Sequence, residues 1–285
     1  MPLAPPPLAL TPPDPMPPDV LCLSDLHLTL RHQPVLNGLD LRMRAGQRIA
    51  LLGLSGSGKS MTARAALGLL PEGARLTGGI HVAGQEVTHA PVLARPLQAR
   101  PAMVMQDTLA ALNPLATIGY QIEQPLRRQA RAQGPRPCRR RIRAAALDLL
   151  ARVGLEGGEA LLSRCPPELS GGQRQRVCLA MALAARARVI IADEPTSALD
   201  VVTQAQILTL LRAICQGPQG PALLFITHDL HAAAHLCDEA RVIAGGRIVE
   251  AAPMRALLSH PRHPASQALI ASARQCGIAC ERLFA

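Results

Sequence analysis

The residues with the most chemical potential in this chain are Gly53, Leu54, Ser55, Gly56, Ser57, Gly58, Lys59 and Ser60, a G-x-x-x-x-G-K-S pattern. Glycines let the backbone curl until successive N–H groups point inward, which makes a nest for phosphate oxygens. The Lys59 ammonium reaches the outer phosphates as a point charge, and the Ser60 hydroxyl supplies a hard oxygen for Mg²⁺. Lys59 is the only lysine in the chain; every other strongly basic side chain is arginine. A wide planar guanidinium suits a tight phosphate cradle poorly, whereas a compact ammonium suits it well.

Further polar residues stand at the ends of apolar runs. Gln106 follows Met103-Val104-Met105, Asp193 and Glu194 close Arg188-Val189-Ile190-Ile191-Ala192, and His228 follows Leu223-Leu224-Phe225-Ile226-Thr227. In a parallel sheet, ligands gather beyond the carboxyl ends of the strands. There Asp193 orients Mg²⁺ and Glu194 takes a proton from an attacking water. His228 reaches the γ-phosphate, and Gln106 the metal or the water. The run Leu169-Ser170-Gly171-Gly172-Gln173 precedes a helical pattern. Ser170 is a good N-cap, and the two glycines expose N–H groups, so this is a second anion-friendly helix terminus. One chain has little reason to build two such sites around one nucleotide, unless the second faces a partner's nucleotide.

The elements that must hold these residues are readable from periodicity. The apolar run Arg48–Leu52 predicts a buried strand entering the phosphate loop, and Met61–Leu70 a helix leaving it. Strands are expected over Val20–Thr29, Leu36–Met43, Glu239–Ile243 and Arg247–Glu250, a strand and turn over 79–88, and helices over Ser170–Ala185 and Val201–Ile214. Residues 107–169 carry helical periodicity with polar linkers and read as an inserted subdomain. The domain reading is therefore a proline-rich leader over 1–19, an α/β core over 20–106 and 170–252, the helical insertion over 107–169, and a C-terminal tail over 253–285.

Composition sets the limits. A chain of 285 residues buries a sizeable core. With two Phe, one Tyr and no Trp, that core is aliphatic. The net charge of +10 favours anionic partners. No apolar run reaches the roughly 18 residues that a membrane-spanning helix needs, and no signal-peptide pattern opens the chain, so a cytosolic location is expected. Eight scattered cysteines without C-x-x-C read as small buried residues, with Cys276 and Cys280 sharing a helix face. Arg136, Arg139, Arg140, Arg141 and Arg143 form a cluster without interleaved aromatics. This reads as a solvated face near anionic lipid headgroups rather than a nucleic-acid site.

Taken together, the motifs resemble the nucleotide-binding subunits of ATP-binding cassette (ABC) transporters over residues 20–264. Gly53–Ser60 is similar to the Walker A loop, Gln106 to the Q-loop, and Leu169–Gln173 to the signature. Val189–Asp193 matches Walker B with Glu194 the catalytic base, Ser197-Ala198-Leu199-Asp200 the D-loop, and His228 the switch histidine. The resemblance implies an α/β P-loop NTPase fold, a RecA-like core with an antiparallel β subdomain and an inserted α-helical signature subdomain. It implies ATP and Mg²⁺ as cofactors. Nucleotide contacts would come from Gly53 to Ser60, Met61, Ser170, Gly171, Gly172, Gln173 and Asp200, and metal contacts from Ser60, Gln106 and Asp193. The partners implied are a second ABC ATPase subunit joined head to tail, two transmembrane permease subunits and, indirectly, a periplasmic substrate-binding protein, with no nucleic acid. The chain would lie on the cytoplasmic face of the inner membrane.

A narrower resemblance, to the dipeptide, oligopeptide and nickel importers, rests on Met103–Asp107, Leu112-Asn113-Pro114, Ala192–Leu208 and His260-Pro261. Gly68–Arg75 is most similar to the nickel importers, so nickel is the expected cargo and peptides the alternative. A soluble ABC ATPase acting on ribosomes or DNA, and an exporter, fit less well: there is one cassette, no zinc spacing and no fused membrane domain. Two departures stand out. Thr108 replaces a usual proline, which leaves the rigidity of that loop open. Leu30, beside Arg31 and His32, stands where an adenine-stacking aromatic is usual.

Overall fold

The computed structural model describes residues 19–134, 138–197, 199–217 and 220–275. The leader apart from Asp19, and Arg136, Ala198, Cys276 and Cys280, lie outside the described residues. The chain opens with an antiparallel hairpin, β1 (Asp19–Leu30) and β2 (Gln33–Arg44). Arg31 and His32 form its turn, both with positive φ (49° and 66°). This is the backbone that a two-residue hairpin turn requires. Then come β3 (Arg48–Leu52), α1 (Lys59–Leu67), β4 (Ala74–Val82), β5 (Gln85–Glu86) and β6 (Ala102–Met105). The helical insertion holds α2 (Thr108–Ala111), α3 (Ile118–Gln133), α4 (Arg139–Arg152) and α5 (Gly158–Ser163). It leads into α6 (Gly171–Ala184), β7 (Val189–Asp193), α7 (Val201–Ile214), β8 (Ala222–Ile226) and α8 (Leu230–Leu236). The chain closes with β9 (Glu239–Ala244), β10 (Arg247–Pro253), α9 (Met254–Ser259) and α10 (Pro264–Gln275).

Two sheets result. One is antiparallel in the order β2-β1-β4-β5; the other runs β10-β9-β3-β8-β7-β6. In the second, β9, β3, β8, β7 and β6 are parallel and β10 is antiparallel at the edge. Its central strands β3, β7 and β8 are apolar apart from Arg48 at the start of β3 and Asp193 at the end of β7, because both faces are covered. Leu223 and Phe225 of β8 pack with the helical side of the molecule, whereas Leu224 and Ile226 pack with α1 and the antiparallel sheet. This alternation follows from the two-residue period of a strand.

α1 starts at Lys59 and stops at Leu67, short of the expected Leu70, because Gly68 adopts a left-handed C-cap. The carbonyl of Ala66, at that end, accepts from the guanidinium of Arg95. Arg95 is 1% exposed and also donates to the carbonyls of Ala90 and Val87. A buried cation thus sits at the negative end of the helix whose other end forms the phosphate loop. Of the cysteines, Cys178, Cys215 and Cys237 are buried, Cys22 and Cys165 are half-buried, and Cys138 is exposed. Burial pushes the Cys178 and Cys215 thiols up to about 12, so they remain protonated and inert. No described helix is long and apolar enough to cross a membrane.

Candidate phosphate-binding site

β3 delivers the phosphate loop to the carboxyl edge of the parallel sheet, and α1 carries the chain away from it. Gly58, the N-cap of α1, has φ 109°, and a Cβ there would lie 2.8 Å from a methyl of Leu36. No side chain caps this helix end. The first N–H groups of α1 are therefore left facing outward with the positive end of the macrodipole. They face a cavity of about 420 Å³ lined by Val35, Ser55, Gly56, Gly58, Lys59, Ser60, Met61, Glu194 and His228. Ser57 Oγ, in the same loop, is buried without a hydrogen-bond partner.

Lys59 Nζ donates to the carbonyls of Gly53 (2.8 Å) and Leu54 (2.9 Å), which folds the side chain back over the loop. Burial lowers the pKa of this ammonium, and the Glu194 and Asp193 carboxylates pull it back up. Burial raises the pKa of the Asp193 carboxyl, opposed by a hydrogen bond with Ser60 and by the Lys59 charge. The Ser60 hydroxyl, which lines the cavity, is thus hydrogen-bonded to the Asp193 carboxylate, which does not, and the two make an all-oxygen pair of the kind that Mg²⁺ prefers. The residues present fit that ion.

Glu194 follows the last residue of β7 and has φ 47°. Such a backbone in a non-glycine residue stores strain, and strain of this kind collects at functional sites. It is held by the Glu194 N–H donating to the Ile226 carbonyl (2.9 Å) and by Ser197 Oγ donating to the Glu194 carbonyl (3.1 Å). His228 Nδ1 lies 2.9 Å from Glu194 Oε1. The sequence reading sent His228 to the γ-phosphate; the contact observed here is with the Glu194 carboxylate.

Not every expected site residue converges. Gln106 is exposed and lines a neighbouring cavity of about 270 Å³ with Asp107, Thr108, Gly171, Arg174 and Pro195, rather than the phosphate cavity. Ser170, Gly171, Gly172, Gln173 and Asp200 do not line the phosphate cavity either. Ser170 caps α6: its Oγ accepts from the Gln173 N–H (3.2 Å), and Gln173 Oε1 accepts from the Ser170 N–H (3.0 Å). This reciprocal pair is a capping box. A Cβ on Gly172 would come within 2.7 Å of the Thr203 methyl, so this glycine lets α6 approach α7. Asp200 in turn caps α7, accepting from the Thr203 N–H (2.9 Å) and hydroxyl (2.6 Å).

Leu30 pairs with Gln33 at the hairpin end, and Arg31 and His32 are exposed. The hairpin residue that lines the cavity is Val35, which the sequence reading missed; its only signal is its place in β2.

Thr108 resolves the question of the absent proline. Asp107 caps α2 by accepting from the Leu109 and Ala110 N–H groups. Thr108 is buried, and its hydroxyl accepts from Arg174 Nε (3.3 Å). Arg174 Nη1 also donates to the Leu169 carbonyl (2.6 Å). The loop is therefore tied to α6 by a hydrogen bond rather than stiffened by a ring. Thr108→Val is expected to lower stability by about 1 kcal/mol, because Arg174 loses an acceptor in a half-buried setting. Thr108→Ser should retain most of it. Denaturant unfolding of the two variants beside the wild type checks this; loss in Thr108→Ser with none in Thr108→Val would show that the methyl, not the hydroxyl, matters.

A family model of ABC transporters matches residues 36–197. The chain belongs to the ABC transporter family, and its fold is that of an ABC-type P-loop ATPase. It is 38% identical to a probable D,D-dipeptide transport ATP-binding protein of Escherichia coli K12, over 91% of this chain and 80% of that one. It is 36% identical to a glutathione import ATP-binding protein of Salmonella choleraesuis, over 91% of this chain but 43% of that one. The fold matches a component of an ABC transporter complex from Clostridium perfringens with a TM-score of 0.70 at 22% identity, covering 93% of this chain and 97% of that one. It also matches an ATP-binding cassette in a dimeric post-hydrolysis state with ADP and phosphate, with a TM-score of 0.67 at 26% identity, covering 82% and 99%.

Lys59 invites a direct test of the compact-cation argument. Lys59→Ala and Lys59→Arg are both expected to weaken ATP binding by at least about tenfold, or ~1.4 kcal/mol. The guanidinium cannot fold back onto the Gly53 and Leu54 carbonyls and still leave room for phosphate. Nucleotide titration measures it; near-normal affinity in Lys59→Arg contradicts the argument.

Proposed function

We propose that this chain is the ATP-hydrolysing subunit of an importer of small peptides. The observation that carries the ATPase reading is the convergence of Lys59, Ser60, Glu194 and His228 on one cavity beside the uncapped start of α1. The loop N–H groups and Lys59 receive the triphosphate. Ser60 and Asp193 would hold Mg²⁺, which would supply charge neutralisation at the outer phosphates. Glu194 takes the proton of the attacking water. His228 holds the Glu194 carboxylate in place. Gln106, in the neighbouring cavity, joins the site through movement of its loop. Ser170 to Gln173 serve the nucleotide of a second ATPase subunit placed head to tail, which accounts for their distance from this chain's own cavity. Two permease subunits and a substrate-binding protein complete the importer, and the chain works peripherally on the cytoplasmic face of the membrane.

Peptides replace nickel as the favoured cargo. The two relatives described above are a probable D,D-dipeptide transport protein and a glutathione import protein. The stretch that suggested nickel, Gly68–Arg75, holds the C-cap of α1, a turn and the start of strand β4. Those residues shape a helix end and a strand of the antiparallel sheet, so their likeness is one of fold and carries no cargo chemistry. Deleting the gene should abolish uptake of a labelled dipeptide or tripeptide while nickel accumulation stays normal. The opposite pattern returns the reading to nickel.

A further inference from the structure

The α3–α4 hairpin ends in a group of cations that the phosphate site does not use. Arg128 and Arg131 lie towards the end of α3, Arg139, Arg140 and Arg141 in the first turn of α4, and all five are exposed. α3 and α4 pack against each other and are joined by a short connection, so these arginines gather at one tip. Their neighbours are already paired: Arg127 with Glu123 (2.7 Å) and Arg143 with Glu159. Among the described residues, none of the five has a carboxylate partner.

Their placement works against the helix. The first turn of α4 holds no acidic residue. Its three arginines stand at the positive end of the macrodipole, where cations are unfavourable. A local choice that opposes the fold points to a use outside it.

We propose that this tip binds the anionic surface of a lipid bilayer. Exposed, unpaired guanidinium groups on both helices of the pair suit a broad sheet of phosphate headgroups. A single-stranded nucleic acid calls for aromatic stacking platforms at the same surface. Among the described residues the aromatics are Tyr120, at the opposite end of α3 from Arg131 although it lines one cavity with Arg128, and Phe225, buried in the central sheet. Membership of a transporter family brings a bilayer within reach of the chain.

The test is co-sedimentation of the purified full chain with vesicles of phosphatidylcholine alone and with vesicles enriched in phosphatidylglycerol. The wild type should pellet with the second and not the first, and high salt should release it. The triple variant Arg139→Gln, Arg140→Gln, Arg141→Gln should bind the anionic vesicles at least about tenfold more weakly. The corresponding triple Arg→Lys variant should bind almost as the wild type does. ATP turnover should be unchanged in both, because these residues lie outside the phosphate cavity. Equal sedimentation with both vesicle types, or unchanged binding in the Gln variant, overturns the proposal. So does a wild type that ignores anionic vesicles but retains a labelled RNA, in which case the tip is a nucleic-acid surface.

Discussion

Glu194→Gln is expected to bind ATP nearly as well as the wild type and to hydrolyse it at least about a hundredfold more slowly. The amide has the shape of the carboxylate and can still accept a hydrogen bond from a water. It cannot take the proton that the water must lose as it attacks. The substitution also leaves the local scaffold alone. The strained backbone at Glu194 is held by the Ile226 carbonyl and the Ser197 hydroxyl, and both contacts are made by main-chain atoms of residue 194. The His228 contact survives as well, since imidazole Nδ1 can donate to the amide oxygen at the same 2.9 Å position. The measurement is nucleotide affinity beside phosphate release, on the same preparation. Equal losses in the two would mean that Glu194 holds the nucleotide rather than activating water.

The difference between what could and could not be read from the residues follows the range of the interactions. α7 runs from Val201 to Ile214, as periodicity predicted, because its start is written locally: Asp200 precedes it and caps it. The phosphate loop is equally local, since glycines, a lysine and a serine at fixed spacing dictate both the turn and the charge. The strand ends were legible because unbroken apolar runs mark strands buried on both faces, and a polar residue after each run marks the edge. What escaped depends on contacts between distant segments. Arg95 looks like any other arginine of an arginine-rich chain, yet it is buried against the end of α1. Val35 lines the phosphate cavity only because the antiparallel hairpin folds over the loop. The His228–Glu194 contact joins residues 34 apart in sequence. Gln106 follows its strand as expected, but the edge strand β6 sets it beside α6 rather than beside the loop. Cargo lay beyond reach for another reason: the residues compared for it serve the fold.

Ser170→Asp should leave the isolated chain unchanged and stop hydrolysis in the assembled dimer, by at least about a hundredfold. The choice of aspartate comes from the structure. Ser170 caps α6, so a substitution that removes the cap would unsettle the helix as well as any contact with phosphate. Aspartate is as good an N-cap as serine, so α6 and the melting temperature should be preserved. Its negative charge, however, would stand where the proposed head-to-tail dimer brings a partner's γ-phosphate. Because Ser170 does not line the chain's own phosphate cavity, ATP affinity of the single chain should not change. A linked dimer of two copies separates the geometries. With Ser170→Asp in one copy and Lys59→Ala in the other, a head-to-tail arrangement puts both lesions in one site and leaves the second site intact. With both lesions in the same copy, each site receives one lesion. Activity in the first dimer and none in the second is the expected result. If instead the dimer carrying both lesions in one copy is the active one, each chain closes its own site, and the second anion-binding terminus has to be explained without a partner.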